Sequence, residues 1–388
     1  MANNWDKIRN ISSGIKGLTI IGSTDIIINA MSAFFWFYMA ALMGPEDYGY
    51  LSYILAIGGI ASTISLAGSG NTITVFTAKK VKIESSIYLV SLVVLSITSI
   101  VLYFMFNNLE LIVWVAGAVI FGLAGAEIIG KKHYNSYAIY AFVQRSLMIV
   151  FAVLFFHMIG KEGIILGLGL AFFPYIIRLY KSFKQTKIDF PLLKTHSKFY
   201  IHTGVTNLIT ATSTSIDKLI IGALLGFTIL GNYQLGIQLL AVLEMLPVIL
   251  LKYTLPHDAS GNPNVKLKKI MFIFSIILTV MGIVLSPIII PEFFPKFIDT
   301  IQVFQILSLS LIPTTLNTSI MSKLIGNEKT RLVLISSIVY IISQVISIVI
   351  LATIWGINGV AVGYVLSVIV QMIFLLTVKR NILDKMNL

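Results

Sequence analysis

Six charged side chains stand within long apolar segments of this chain: Asp25, Glu127, Arg145, Asp217, Lys218 and Glu244. A charge at the centre of a membrane-spanning helix costs roughly 2.5–3.5 kcal/mol on insertion scales, so each should face protein or water and each is a candidate site. Arg145 carries a planar donor fork suited to phosphate or carboxylate oxygens; the alternative is a structural pair with Glu127 or Asp217. Asp25, Asp217 and Glu244 are the candidates for a carboxylate that binds a coupling proton or ion. Asp25 heads a polar face continued by Asn29 and Ser32, which suits either a cavity or a helix contact. Glu244 lies one turn before Pro247, where a proline frees a backbone carbonyl and permits a kink. Glu127 precedes Lys131 by four residues, the favourable order for a structural ion pair.

The clearest pattern is a polar stripe. Thr203, Asn207, Thr210, Thr214 and Asp217 follow one another at helical spacing, which places all five on one face of one helix. Such a face either lines a wet cavity or glues helices together in lipid. Lys218 points about 100° away from it and either snorkels outward or reaches the cavity. Arg145, Lys218, Asn207, Thr210 and Thr214 are therefore the substrate-binding candidates. Enzyme chemistry finds little to use. The five histidines (His133, His157, His196, His202 and His257) form no metal-ligand pattern, no phosphate-binding Gly-Lys-Ser/Thr loop occurs, and nothing calls for a cofactor. The absence of cysteine excludes disulfides and thiolate chemistry.

The elements that must hold these residues are transmembrane helices. Of 388 residues, 57% are hydrophobic and 11% charged, against about 25% charged in a soluble domain. Apolar runs recur at about 18–43, 48–69, 86–106, 111–130, 138–159, 163–182, 200–225, 231–254, 269–290, 300–322, 331–354 and 357–378, each long enough to cross a bilayer. The polar Met1–Lys16 and the lack of a small-residue cleavage site make the first run a retained helix. A net charge of +12 invites a nucleic-acid partner, but the placement of the charges argues against one. All Lys and Arg residues except Lys161, Lys296, Arg145 and Lys218 fall on one set of alternate loops, the asymmetry that the positive-inside rule associates with cytoplasmic loops. Twelve spans with both termini cytoplasmic satisfy it.

The basic central loop, Phe183–Phe199, separates two similar halves. Gly160-Lys161-Glu162-Gly163-Ile164-Ile165-Leu166-Gly167 opens the sixth span and Gly356-Ile357-Asn358-Gly359-Val360-Ala361-Val362-Gly363 the twelfth, at an offset of 196 residues. A weaker echo pairs Asp47-Tyr48-Gly49 with Asn232-Tyr233-Gln234 at an offset of 185. The expected fold is an all-α integral membrane bundle of about twelve helices. Its two six-helix lobes, 1–195 and 196–388, would be related by a pseudo-two-fold along the membrane normal.

Four segments carry a resemblance. Gly44-Pro45-Glu46-Asp47-Tyr48-Gly49 resembles the first-loop sequence Leu-Gly-Pro-Glu-Asp/Glu-Tyr-Gly of the polysaccharide-precursor (O-antigen type) flippases of the MATE-like superfamily. Ser215-Ile216-Asp217-Lys218 through Gly226, followed by Leu230-Gly231-Asn232-Tyr233, is similar to their seventh helix and the turn after it. Phe294-Pro295-Lys296-Phe297 is an imperfect match to Phe-Gly-x-x-Tyr, and Gly356-Ile357-Asn358-Gly359-Val360-Ala361 resembles Gly-x-x-Gly-x-Ala. The resemblance implies alternating access and transfer of a polyprenyl-linked oligosaccharide across the cytoplasmic membrane. It implies exchange with protons or sodium, and membrane lipids and other glycan-assembly proteins as partners. Members often have a cationic cavity, whereas here the intramembrane cations are only Arg145 and Lys218. Two alternatives stand beside it. One is a MATE-type cation or drug antiporter, for which Asp25 and Glu244 are suited. The other is a membrane glycosyltransferase or polymerase, for which the outside loops are too small.

Overall fold

The computed structural model describes residues 2–172, 174–245, 247, 249, 254, 255, 258 and 264–386, and every element among them is helical. Chain order is α1 (Ala2–Leu42), α2 (Pro45–Leu66), α3 (Ser69–Ala78), α4 (Glu84–Phe106), α5 (Leu109–Gly130), α6 (Tyr134–Ile159), α7 (Lys161–Leu170) and α8 (Pro174–Gln185). There follow α9 (Phe190–Thr195), α10 (Ser197–Ser213), α11 (Ile216–Leu225), α12 (Phe227–Leu243), α13 (Val265–Phe293), α14 (Thr300–Ser308), α15 (Leu311–Gly326) and α16 (Thr330–Met386). Lys252, His257 and most of 246–254, the end of the expected eighth span, lie outside the described residues.

The chain is a multi-pass membrane protein. Among the described residues nine helical stretches are long and apolar enough to cross a bilayer, and the bent pair α10 and α11 makes ten. One of the nine, Thr330–Val378, is two helices interrupted at Gly356 (φ 56°), and α12 is a shorter apolar helix. With those two the expected twelve segments are accounted for. Large apolar side chains face outward, as on α4 (Ile97, Val101, Phe104) and α13 (Ile273, Val280, Val284). A helix that is apolar all round needs lipid or protein on every side.

Several expected spans are broken. The second bends at Ala67–Gly68, where φ is positive, and continues as α3 into what was expected to be loop. The sixth divides into α7 and α8 and the tenth into α14 and α15. The basic loop holds the short helix α9, whose first turn Asp189 caps by accepting from the Leu192 N–H at 2.8 Å. The seventh span, read as one helix over 200–225, bends by 42° between α10 and α11.

The helices form two compact units, the chain up to Phe35 with Ile57–Ala211, and Trp36–Ala56 with Thr212–Leu388. In the first, α5 is central and contacts α3, α4, α6, α7 and α8. In the second, α16 contacts α11, α12, α14 and α15. Each unit contains the same tight hairpin. A Cβ on Gly163 would lie 2.2 Å from the Phe155 carbonyl oxygen, and one on Gly359 1.9 Å from that of Leu351. Gly167 packs on Ala152 as Gly363 packs on Ile348. All four pairs keep the offset of 196 residues, so the repeat holds in contacts as well as letters. Gly160 (φ 79°) and Gly356 (φ 56°) make the reversals with left-handed backbone.

The segments of the weaker echo, at the starts of α2 and α12, meet each other. Within the second unit α2 and α12 cross backbone to backbone: a Cβ on Gly49 would meet the Phe227 carbonyl oxygen at 1.9 Å, and one on Gly231 that of Pro45 at 1.8 Å. The contact is reciprocal, each glycine lying against the other helix's backbone four residues before its partner glycine. The glycines set the register because only they allow the crossing.

Candidate functional site

In the first unit α1 supplies Asp25, α6 supplies Tyr137, Tyr140 and Arg145, and α8 supplies Tyr175. The Tyr137 hydroxyl donates to Asp25 Oδ1 at 3.0 Å. Tyr137 also lies within electrostatic reach of Arg145, so one phenol connects the acid and the base. Arg145 makes no ion pair among the described residues. Its Nη1 meets the Met148 sulfur at 3.2 Å, a weak acceptor, and its Nε is buried without a partner among the described residues. Glu127, one expected structural partner, is already engaged. It is 1% exposed and accepts from Arg178 through Nε at 2.8 Å and Nη2 at 3.3 Å, while Lys131 pairs with it one turn on. Asp217, the other, is bound within its own unit. Arg145 thus presents a half-buried guanidinium with a donor to spare. Around it stands a tyrosine wall in which Tyr140 and Tyr175 lie 5.1 Å apart.

In the second unit the break between α10 and α11 builds a recess of about 240 Å³. A helix end leaves backbone carbonyls unbonded, and Lys218 uses one: its Nζ donates to the Thr214 carbonyl at 2.7 Å. The same Nζ is 3.5 Å from Asp217 Oδ1. Asp217 sits in the first turn of α11, where the helix dipole favours an anion. It is 4% exposed and accepts from the Lys218 N–H at 2.8 Å and the Tyr233 hydroxyl at 2.9 Å. Trp36, Ser52, Thr214, Gln234 and Gln238 line the recess with Lys218. Gln234 Oε1 is buried and has no hydrogen-bond partner among the described residues. An ammonium, two amides, hydroxyls and an indole give donors, acceptors and an apolar face in one small volume, the combination that recognises a polyhydroxylated ligand.

The polar stripe divides at the bend. Thr203 bonds the Phe199 and Tyr200 carbonyls at 3.0 Å and approaches Thr72 at 3.4 Å, while Asn207 accepts from Asn71 at 3.4 Å. This part of α10 packs on α3. The Thr210 hydroxyl donates to the Thr206 carbonyl of its own helix at 3.0 Å. Thr214, beyond these, lines the recess, so the structure joins Thr214, Asp217 and Lys218 and leaves Asn207 and Thr210 along the helix. Glu244 stands at the C-terminal end of α12, near the Thr314 hydroxyl. Tyr340 and Tyr364 lie within electrostatic reach of both Glu244 and Asp217, so one tyrosine cluster serves both acids. No three His, Asp or Glu side chains converge among the described residues.

Sequence reading passed over Trp36, Gln234, Gln238 and Arg178. The two glutamines carried a usable signal, since polar residues four apart in an apolar helix share a face. Arg178 carried none, because its partner is 51 residues away and it stands among loop lysines.

A family model described as "Polysaccharide biosynthesis protein" matches residues 15–257. The inward-facing conformation of a multidrug resistance MATE family transporter of the MOP superfamily superposes with a TM-score of 0.70 at 16% identity, over 95% of this chain and 98% of that one. The lipid II flippase MurJ in an inward closed conformation gives 0.70 at 15%, over 92% and 87%. A MOP superfamily transporter from Pyrococcus furiosus gives 0.62 at 15%, over 94% of each. No curated protein sequence matches the chain. At these identities the structural likeness concerns the fold alone, which is the twelve-helix, two-lobed MATE-like fold expected above.

Proposed function

Since the chain belongs to the polysaccharide biosynthesis protein family, we propose that it is a flippase for a polyprenyl-linked oligosaccharide. In this reading the six-helix lobes 1–195 and 196–388 alternate access across the cytoplasmic membrane, with both termini inside. The observation that carries it is Arg145, an arginine within a span that has no ion-pair partner among the described residues. An uncompensated guanidinium in a membrane protein is expensive unless an anion or water meets it, and the substrate class brings a phosphate. The Lys218 recess, with its amides and indole, suits the sugar. Thr214 belongs to that recess, and Asn207 and Thr210 extend the polar face along α10. Asp25, Asp217 and Glu244 are the candidates to bind the coupling proton or sodium. That a solved neighbour is named a lipid II flippase supports the choice of a lipid-linked substrate.

The test is glycan export in a strain lacking its own flippase. Restoration by this chain, lost in Arg145→Ala, is the expected result. Failure to restore export, with expulsion of cationic drugs instead, would move the chain to the antiporter reading.

A further inference from the structure

A groove in the second unit, between α13 and α15, belongs to none of the groups described above. The chain through α14 and α15 runs antiparallel to α13: the Gln305 amide of α14 donates to the Ile283 carbonyl at 3.2 Å, and Thr279 donates to that of Ser308, the last residue of α14, at 3.2 Å. Continuing that register brings Lys268 and Lys269 of α13 beside Lys323 of α15. The groove encloses about 530 Å³, within the range of ligand pockets. Its lining changes along its length. The lysines gather at one end, and one or two turns further in come Phe272, Ile273, Leu316 and Ile320. Ile273 is 58% exposed, so the apolar part opens sideways to the bilayer.

The three lysines are not equivalent. Lys268 Nζ is bound to both oxygens of Asp258, at 2.6 and 2.8 Å, and Asp258 also accepts from Ser322 at 2.5 Å. That pair is neutral and fixes the end of the groove. Lys269 and Lys323 are exposed and have no ion-pair or hydrogen-bond partner among the described residues. Two free cations at the end of an apolar channel match a ligand with an anion at its head and hydrocarbon behind it. A soluble anion would leave the apolar length unused, and a neutral lipid would leave the lysines unused. Basic pockets between transmembrane helices at the cytoplasmic side are suited to anionic headgroups, and this end of both helices is the one the charge pattern assigns to the inside.

We propose that the groove holds an anionic glycerophospholipid of the surrounding bilayer, with its phosphate between Lys269 and Lys323 and an acyl chain along Phe272 and Leu316. The occupant is a bilayer lipid and not the transported carrier, because the groove shares no lining residue with the Lys218 recess and opens to the membrane.

The experiment is lipid binding to the purified full chain in detergent, read by native mass spectrometry and by melting temperature. The probes are phosphatidylglycerol, phosphatidylcholine, inorganic phosphate and a polyprenyl phosphate. Phosphatidylglycerol should bind and stabilise where phosphatidylcholine and inorganic phosphate do not. Lys269→Gln and Lys323→Gln should each weaken it about fivefold. Lys266→Gln, an exposed lysine of the same helix outside the groove, should leave it unchanged. Ser319→Trp, which fills the groove and keeps both lysines, should abolish binding. Equal binding of the two phospholipids, or equal weakening by Lys266→Gln, would overturn the proposal. So would inorganic phosphate matching the lipid, or polyprenyl phosphate displacing phosphatidylglycerol at lower concentration.

Discussion

The two units share a hairpin and differ in their charges. The α6–α7 turn of the first and the Gly356 turn of the second repeat the same glycine-to-backbone contacts at one constant offset. The charges at the candidate sites follow no such symmetry. In the first unit Arg145 stands without a counter-ion among the described residues. In the second Lys218 is adjacent to Asp217 and satisfied by a backbone carbonyl. A helical scaffold tolerates duplication because its packing requires small residues at fixed places. A charged side chain in a membrane must be justified case by case. What is repeated is therefore scaffold, and what is not repeated is where function is to be sought.

The largest expected effect tests that asymmetry at Arg145. Arg145→Ala should reduce glycan export to under about a tenth while the protein still inserts, since deleting a membrane charge does not hinder insertion. Arg145→Lys should keep partial export, because it retains the charge and loses the fork. No neutralisation of a nearby acid, Asp25→Asn included, should rescue Arg145→Ala. Rescue would mean that Arg145 is half of a structural pair. Lys218 should behave in the opposite way. Lys218→Ala leaves a buried carboxylate with less compensation and should cost about 1–3 kcal/mol in thermal stability, below the 3–5 kcal/mol of a fully buried pair because the ammonium is partly exposed. Asp217→Asn should restore part of that loss in the double variant. Independent, additive effects of the two changes would dissolve the pair.

The symmetric half of the comparison predicts matched responses. Gly163→Ala and Gly359→Ala each push a methyl into a backbone carbonyl, where overpacking costs about 1–3 kcal/mol. Their melting temperatures should fall by similar amounts. A large loss at one and none at the other would show that the hairpins are alike in sequence only.

Hydropathy and loop charge made most of the fold legible, because a bilayer leaves a backbone few ways to cross it. The sixth and twelfth hairpins were legible because three glycines at fixed spacing have a steric reason to recur. The α2–α12 crossing was not legible, because it depends on the close approach of Gly49 and Gly231 to backbone far away in the chain, and the echo of Asp47-Tyr48-Gly49 in Asn232-Tyr233-Gln234 does not announce that contact. The bend at Thr214–Ser215 was hidden, since neither residue type ends a helix by itself. Glu127 was correctly paired with Lys131, but Arg178 is a long-range partner that no local pattern announces. The stripe on the seventh span was real as a pattern. One straight helix would have given it one role, and the bend separates its ends.

That separation yields the smallest and most discriminating prediction. The chain has no cysteine, so single cysteines report their own surroundings. Thr203 is held between its own helix and α3, where a thiol would meet backbone and not water. Asn207 is half-buried against Asn71, Thr210 is exposed on α10, and Thr214 is exposed at the recess. A small water-soluble thiol reagent should therefore modify Thr214→Cys fastest, Thr210→Cys and Asn207→Cys more slowly, and Thr203→Cys least. Leu208→Cys, on another face of α10, should resemble Thr203→Cys if that face meets lipid. None of these changes removes a charge or a buried pair, so stability should move by less than about 1 kcal/mol in each. Uniform reactivity along the series would mean one continuous wet face and would return the straight-helix reading. A uniformly inert series would make the recess dry and remove it from the substrate path, leaving Arg145 to stand alone.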